Sequence, residues 1–418
     1  MADPARQVIV IGAGIVGVST ALWLQRAGQA VTLVDRGVAR DRASFGNAGV
    51  LAACAVVPVT VPGLMRKAPA MLLDPRQPLF LKWSYLPKLL PWLTRYLGHA
   101  RADCVARIAA ALAPITGDSL ADHQALAAGT AAADFIRPSD YLFAYRDRAH
   151  YGGDAFGYSV RRSVGFAWQE LEGEAWHGYD PVYSRDLGFA TRFANHGIIR
   201  DPGAYLEALE THFRNDGGRF IQGDVEDVVH ADGVVRGVRL QGETLTADAV
   251  VVATGAWSGK LTGKLGLNVP LESERGYHLE LWQPNRMPRA PVMITTGKFV
   301  ATPMNGRLRL AGIVEYGGLE APPSRAPLAL LRNQIRAAIP GLKWQDEQEW
   351  MGHRPVPADS IPLIGEVPGL RGAYVGFGHQ HVGLTGGPKT GRLLAQLVTG
   401  QQPNIDLSPY SPARFAAD

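Results

Sequence analysis

Hydrophobic patterning is sharpest at the start of the chain. Residues 7–12, QVIVIG, form a β-branched run ending in glycine, the pattern of a strand buried on both faces. Beyond it Ile15, Val16, Val18, Ala21, Leu22, Leu24 and Ala27 recur at helical spacing until Gly28 closes the segment. A second buried run, AVTLVD over 30–35, follows at once, so the spacing predicts a βαβ unit of minimal length. Order then weakens. Residues 56–100 are rich in Pro, Leu and Trp, residues 101–150 are Ala-rich with a mostly helical pattern, and 139–200 carry aromatics and glycines without clean periodicity.

Periodicity returns at Asp201-Pro202. Asp caps helices and Pro fits their first position, while Tyr205, Leu206, Leu209 and Phe213 supply an apolar face that Gly217-Gly218 terminate. RFIQG leads into a new strand, and 224–253 reads as a meander that ends in ADAVVVATG. Residues 266–345 form a second β-rich block that includes a helix over about 326–338. The tail, 352–400, carries a Pro-rich loop, a strand GAYVGF, a Gly-rich loop and a final helix closed by Gly400. Segments of α/β character thus alternate with β-rich ones, which predicts domains that are discontinuous in sequence.

Composition narrows the classes. An apolar fraction of 46% with 19% charged residues gives ample core and excludes intrinsic disorder. A length of 418 residues argues for two domains or one large composite. Two cysteines, Cys54 and Cys104, cannot make a disulfide framework or a cysteine-based zinc or iron–sulfur site. The net charge of +4 comes without the basic stripe that nucleic-acid binding requires. No run of 18 apolar residues predicts an ordinary membrane-spanning helix, and the N-terminal apolar stretch lacks the basic flank of a signal peptide.

Gly12-Ala13-Gly14-Ile15-Val16-Gly17 falls between the first strand and the first helix, the context a dinucleotide fingerprint requires. Gly12 makes the tight turn, Gly14 lets backbone approach a pyrophosphate, and Gly17 lets helix and strand pack closely. Asp35 closes the second strand, placed for a ribose hydroxyl pair, and an acid there disfavours a 2′-phosphate. An ordinary NAD dehydrogenase would continue its α/β alternation through residues 40–150. This chain abandons it near 50 and resumes near 200, which favours a flavin-binding fold with a split FAD domain. Ala43-Ser44-Phe45-Gly46-Asn47-Ala48-Gly49 and Ala253-Thr254-Gly255-Ala256-Trp257 are small-residue segments suited to close backbone approach. The final helix begins in Gly378-His379-Gln380-His381-Val382-Gly383-Leu384-Thr385, and its positive end would favour negative charge on a reduced flavin.

With these pieces in place the sequence resembles the FAD-dependent D-amino-acid dehydrogenase family, in the wider group of D-amino-acid oxidase, glycine oxidase and sarcosine oxidase. The resemblance rests on the N-terminal fingerprint, SFGNAG, DPGAYLEAL, ADAVVVATGAWS and the tail RP…D-x-IPLIG…GH…GLT. It implies an α/β protein: a glutathione-reductase-type, Rossmann-like FAD domain and an inserted α+β substrate domain built on an antiparallel sheet. The expected FAD domain is 1–60, 195–265 and 346–418, and the expected substrate domain 61–194 and 266–345. The expected FAD footprint comprises Gly12, Gly14, Ile15, Val16, Gly17, Asp35 and Arg36, then Ser44, Asn47, Ala48 and Gly49. It continues through Val225, Thr254, Gly255 and Trp257 to Gly378, His379, Val382, Gly383, Leu384 and Thr385. Relatives that attach flavin covalently use a cysteine in the C-terminal half or a histidine in the SFGNAG-like loop. No cysteine follows Cys104 and Gly46 stands at that loop position, so FAD is expected to be non-covalent. The last position of Gly-His-Gln-His also varies among relatives, some of which carry Arg there.

Amine oxidation by flavin needs a substrate held with its carboxylate clamped and its Cα–H beside the flavin. Arg354 is the expected clamp, because guanidinium offers a planar bidentate fork and the position matches the clamp of glycine-oxidase-like relatives. Tyr277 would add a phenol, and His381 would line the pocket. His379 and His381 lack third and fourth ligands for a metal, and GGPKTG lacks phosphate-loop spacing. The expected activity is oxidation of a D-amino acid or a cyclic D-imino acid, such as a D-proline derivative, with electrons passed to quinone or another acceptor. Two alternatives stay open: an oxygen-using oxidase of glycine, sarcosine or an opine, and an FAD-bearing subunit that needs partner chains. A cytoplasmic location is expected. Residues 79–97, where Pro87 and Pro91 should break any single long helix, read either as a peripheral contact with the inner membrane face or as short helices packed on the body.

Overall fold

The computed structural model describes residues 5–64 and 78–416; residues 65–77 of the apolar, proline-rich stretch lie outside the described residues. The fingerprint unit forms where the periodicity places it: strand Gln7–Ile11, helix Ile15–Arg26 and strand Ala30–Asp35. These open a six-stranded sheet in which Arg219–Gln222, Ala30–Asp35, Gln7–Ile11, Ala249–Val252 and Ala373–Phe377 run parallel in that order, with Leu363–Glu366 antiparallel at the edge.

Alternation along the strands feeds two cores. Val8, Val10, Ala249 and Val251 pack among the helices Ile15–Arg26, Pro202–Asn215 and Gly383–Val398. Ile9, Ile11, Val250 and Val252 face the meander Val225–Ala231, Val234–Leu240 and Glu243–Thr246 on the other side. The result is a layered helix, parallel sheet and meander arrangement. Asp201 caps its helix through its side chain, which accepts from the Ala204 N–H at 3.1 Å. The terminal helix packs tightly on the fingerprint helix. A Cβ on Gly391 would lie 2.5 Å from Ser19 Cβ, and one on Gly387 would lie 2.8 Å from Ile15 Cγ2.

A ten-stranded sheet forms the second body, ordered Asp346–Pro357, Leu271–Trp282, Arg307–Tyr316, Phe299–Met304, Val292–Ile294, Ile136–Tyr145, Phe189–Ile199 and Val50–Leu51, with Leu79–Leu81 and Gln169–Glu172 as side pairings. It is mixed and not purely antiparallel: Val292–Ile294 runs parallel to Ile136–Tyr145, and Arg307–Tyr316 parallel to Leu79–Leu81.

Several expectations are corrected. Asp346–Pro357 is a strand where a Pro-rich loop was expected, because it sits at the sheet edge, where Pro355 and Pro357 leave no interior ladder bond unmade. That strand, with Val50–Leu51 and residues 195–199, joins the ten-stranded sheet, so the sheets do not change at the expected boundaries. Conversely, Ala102–Thr116 and Ser119–Ala127 bury Val105, Ile108, Leu112, Ile115 and Leu126 in the core around the parallel sheet. By length and composition the stretch Ala102–Ala127 passes for a membrane span, but it is half buried within the protein. Ile136–Tyr145 and Phe189–Ile199 are long strands in regions read as helical or aperiodic. Finally, Leu86–Gly98 is one helix that contains Pro91 and has Pro87 in its first turn. Its Leu89, Trp92 and Tyr96 pack on Tyr316, Val356 and Ala358, while Trp83 and Leu90 stay exposed.

Candidate functional site

A cavity of about 440 Å³ lies outside the carboxyl ends of the parallel strands, where Ile11, Asp35, Ala253 and Phe377 line it, and it extends to the ten-stranded sheet at Glu274, Gly276, Gly312 and Arg354. Ligands of open α/β sheets bind in this crevice. Two helix N-termini reach it, those of Ile15–Arg26 and Gly383–Val398. Neither has a capping bond from its own N-cap residue or an acidic residue in its first turn, so both turn partial positive charge to the cavity, with Ser44 Oγ accepting from the Ile15 N–H at 3.0 Å. The fingerprint turn depends on glycine: Gly12 has φ +101°, and a Cβ there would sit 2.5 Å from the Ala253 carbonyl oxygen. Asp35 holds the turn through Oδ2, which accepts from the Ala13 N–H at 2.6 Å, and it also lines the cavity.

The structure gathers most of the expected footprint here. Gly12, Gly14, Ile15, Val16, Asp35, Arg36, Ser44, Asn47, Ala48 and Val225 line the cavity. So do Thr254, Gly255, Trp257, His379, Val382, Gly383, Leu384 and Thr385, together with Tyr277, Arg354 and His381. Gly17, Gly49 and Gly378 do not, for packing reasons. A Cβ would lie 1.7 Å from Gly12 O at Gly17, 2.5 Å from Ile199 O at Gly49 and 2.6 Å from Pro357 Cγ at Gly378.

Tyr277 does not offer the free phenol that was expected. Its OH donates to Glu315 Oε2 at 2.6 Å and accepts from the Ser324 N–H at 2.9 Å, and burial together with Glu315 pushes its pKa up to about 12. Arg354 stands opposite Glu274 across adjacent strands and donates through Nη1 to Glu274 Oε1 at 2.6 Å. Its guanidinium lies over Gly276, where a Cβ would meet Cζ at 2.6 Å. Among the described residues its Nε and Nη2 have no partner. His381 faces this pair and burial lowers its pKa, with Glu274 opposing that shift and Arg354 adding to it. His379 is buried, its Nε2 lies 2.8 Å from Thr390 Oγ1, and burial lowers its pKa to about 4.

Sequence reasoning missed the residues that hold the 44–49 loop. Arg309 donates to the carbonyls of Phe45 at 3.2 Å and Asn47 at 2.5 Å, while His278 Nδ1 donates to the intervening Gly46 carbonyl at 2.9 Å. Buried Glu280 holds Arg309 and Arg307 through Oε1. His278 stacks on Trp350, whose ring fills the space over Gly46: a Cβ there would lie 2.1 Å from it. No side chain at position 46 could reach the cavity without moving that indole. The only sequence signal was the alternation of charge through E-R-G-Y-H-L-E, which gives no partners.

The residues present fit FAD, given two helix N-termini free of acidic residues, a buried acid at the second strand and one continuous crevice. The fold and the crevice therefore define a flavin-binding oxidoreductase. The chain belongs to the DAO family of FAD dependent oxidoreductases, whose profile matches residues 7–397. It is similar to a D-amino-acid oxidase of Bradyrhizobium diazoefficiens, 38% identical over 417 residues, with 98% of this chain and 99% of the relative covered. It is also similar to a D-amino acid dehydrogenase of Methylobacterium nodulans, 31% identical over 426 residues, with coverage of 98% and 99%. Glycine oxidase from Geobacillus kaustophilus shares the fold with a TM-score of 0.74 at 22% identity, over 98% of this chain and 99% of that one.

Proposed function

We propose that this FAD-dependent amino acid oxidoreductase oxidises the Cα–N bond of a D-amino acid or a cyclic D-imino acid, holding FAD non-covalently and passing electrons to quinone or another acceptor. The observation that carries the reading is Arg354, a guanidinium in the cavity wall with two donor positions unpartnered among the described residues. Bound FAD supplies the two-electron acceptor for the hydride leaving Cα. The chain's own residues do the rest. Arg354 clamps the substrate carboxylate, and the N-terminus of Gly383–Val398 favours negative charge developing beside it. Val50, Ala52, Ala55, Tyr141 and Val300 wall the cavity and exclude water from the reacting bond. The imine product then hydrolyses to a keto acid, or persists if it is cyclic.

An oxygen-using oxidase is the second reading, favoured by the name of the relative that is 38% identical. Anaerobic bleaching of bound flavin by a panel of D- and L-amino acids, proline isomers included, tests the substrate class. Bleaching by no D-amino acid would sink the proposal. Turnover with O₂ compared with a dye or quinone separates the acceptors. Arg354→Ala should raise KM at least about tenfold while FAD stays bound.

A further inference from the structure

The clamp is one half of a charge pair, and its partner faces the same cavity. Glu274 is 4% exposed, lines the cavity and stands directly opposite Arg354 in the ladder between Leu271–Trp282 and Asp346–Pro357. The contact between them is single-stranded: Arg354 Nη1 meets Glu274 Oε1 at 2.6 Å. Among the described residues Glu274 Oε2 has no hydrogen-bond partner, and neither do Arg354 Nε and Nη2. None of these three atoms is among the fully buried unpartnered ones, so the free oxygen and the free guanidinium nitrogens open onto the cavity, where a ligand can reach them. Gly276, next on the same strand face, keeps the guanidinium low against the sheet, so acceptor and donors share one wall.

We propose that Glu274 is the amine-recognition residue of this site, its free carboxylate oxygen accepting an N–H from the substrate nitrogen while Arg354 takes the substrate carboxylate. This rests on the proposed amino-acid oxidation and adds to it the reason that the substrate is recognised as a zwitterion, which gives up one ammonium proton before hydride leaves Cα. A zwitterion brings no net charge to a site whose own pair is balanced. A carboxylate without the amine sets a second anion beside Glu274, in a cavity where His381 stays neutral because burial lowers its pKa. Glu274 thus selects amino acids against 2-hydroxy and unsubstituted acids, and it orients the nitrogen that the reaction oxidises.

The test measures dissociation constants from the visible flavin spectrum of the FAD-loaded enzyme, anaerobically, with L-alanine, D-alanine and propionate. Flavin bleaching is recorded separately. The native enzyme should bind at least one alanine enantiomer ten or more times more tightly than propionate. In Glu274→Gln that ratio should fall at least tenfold, with propionate binding unchanged or tightened. A parallel weakening of all three ligands would mean that Glu274 only holds Arg354, and would overturn the proposal. So would propionate binding the native enzyme as tightly as alanine, a result that needs no variant. Absence of bleaching with either enantiomer counts against the proposed reaction, while the binding ratio still decides the role of Glu274.

Discussion

Arg354 is placed by the absence of a side chain elsewhere. Its guanidinium occupies the space over Gly276 that any other residue would fill, since a Cβ would stand 2.6 Å from Cζ and Nη2. Those atoms are anchored through Nη1 to Glu274, so the planar fork cannot slide away without breaking a partly buried ion pair. Gly276→Ala should therefore lift the clamp while leaving FAD contacts intact. The expected outcome is a KM raised at least about tenfold, a factor worth about 1.4 kcal/mol of binding, with flavin content unchanged. Steady-state kinetics beside an absorbance measurement of bound flavin checks it, and an unchanged KM would remove Gly276 from the argument. At this scale the sequence showed half of the site. Arg354 was legible from its motif, whereas Glu274 and Arg309 were not, because their meaning lies in cross-strand register and in a loop about 260 residues away.

Among the elements, the terminal helix and the 44–49 loop are fastened by buried polar groups that fix where the cavity wall stands. His123 joins two helices to the terminal one: Tyr205 OH donates to its Nδ1 at 2.7 Å, and its Nε2 donates to the Leu384 carbonyl at 2.8 Å. Burial lowers the pKa of His123 and of His379 to about 4, from 6.5 in an exposed histidine. Between pH 6.5 and about 4 the unfolded chain takes up protons that the folded chain refuses. Stability is therefore full above pH 6.5, falls as pH drops through that window and levels off below about 4. At about 1.4 kcal/mol per pKa unit the combined loss is on the order of several kcal/mol. Thermal melts across pH 7 to 4 test this, and His123→Gln should give a shallower slope; an identical slope would refute the assignment. Arg309 acts likewise on the loop. Arg309→Met leaves the Phe45 and Asn47 carbonyls without their donor and should cost about 3 kcal/mol or more. The protein should then lose flavin on gel filtration that the native chain retains. Elements with local signatures were legible: the fingerprint unit, the Asp201-capped helix, the meander within 224–253 and the helix Ala326–Ala338. Ile136–Tyr145 and Phe189–Ile199 were not, because their register is set by pairing partners distant in sequence, with a bulge between Ser139 and Tyr141. Prolines at a sheet edge disguised Asp346–Pro357 as a loop.

Over the whole molecule, the cavity is the seam between the two sheets, and the chain crosses that seam repeatedly. Val50–Leu51 enters the ten-stranded sheet straight after the fingerprint unit, and Asp346–Pro357 leaves it just before Leu363–Glu366 returns to the parallel one. The excess of glycine, 48 of 418 residues, accordingly serves two purposes. Gly12, Gly14 and Gly255 line the cavity, whereas Gly17 lets the first helix close on the fingerprint turn and Gly387 and Gly391 bring the terminal helix against the first. A group that fills the seam contacts both bodies and binds only the folded chain, so it must stabilise the whole by mass action. At free FAD one hundred times its dissociation constant the gain is about 2.7 kcal/mol. Stripping the flavin should lower the melting temperature by several degrees, and adding it back should restore the value in a concentration-dependent way. Both sheets should respond together: far-UV melting and tryptophan fluorescence from Trp257 and Trp350, which line the cavity, should shift by the same amount. A melting temperature indifferent to FAD would show that the cofactor does not occupy this seam. A shift confined to fluorescence would show that it binds without joining the two bodies.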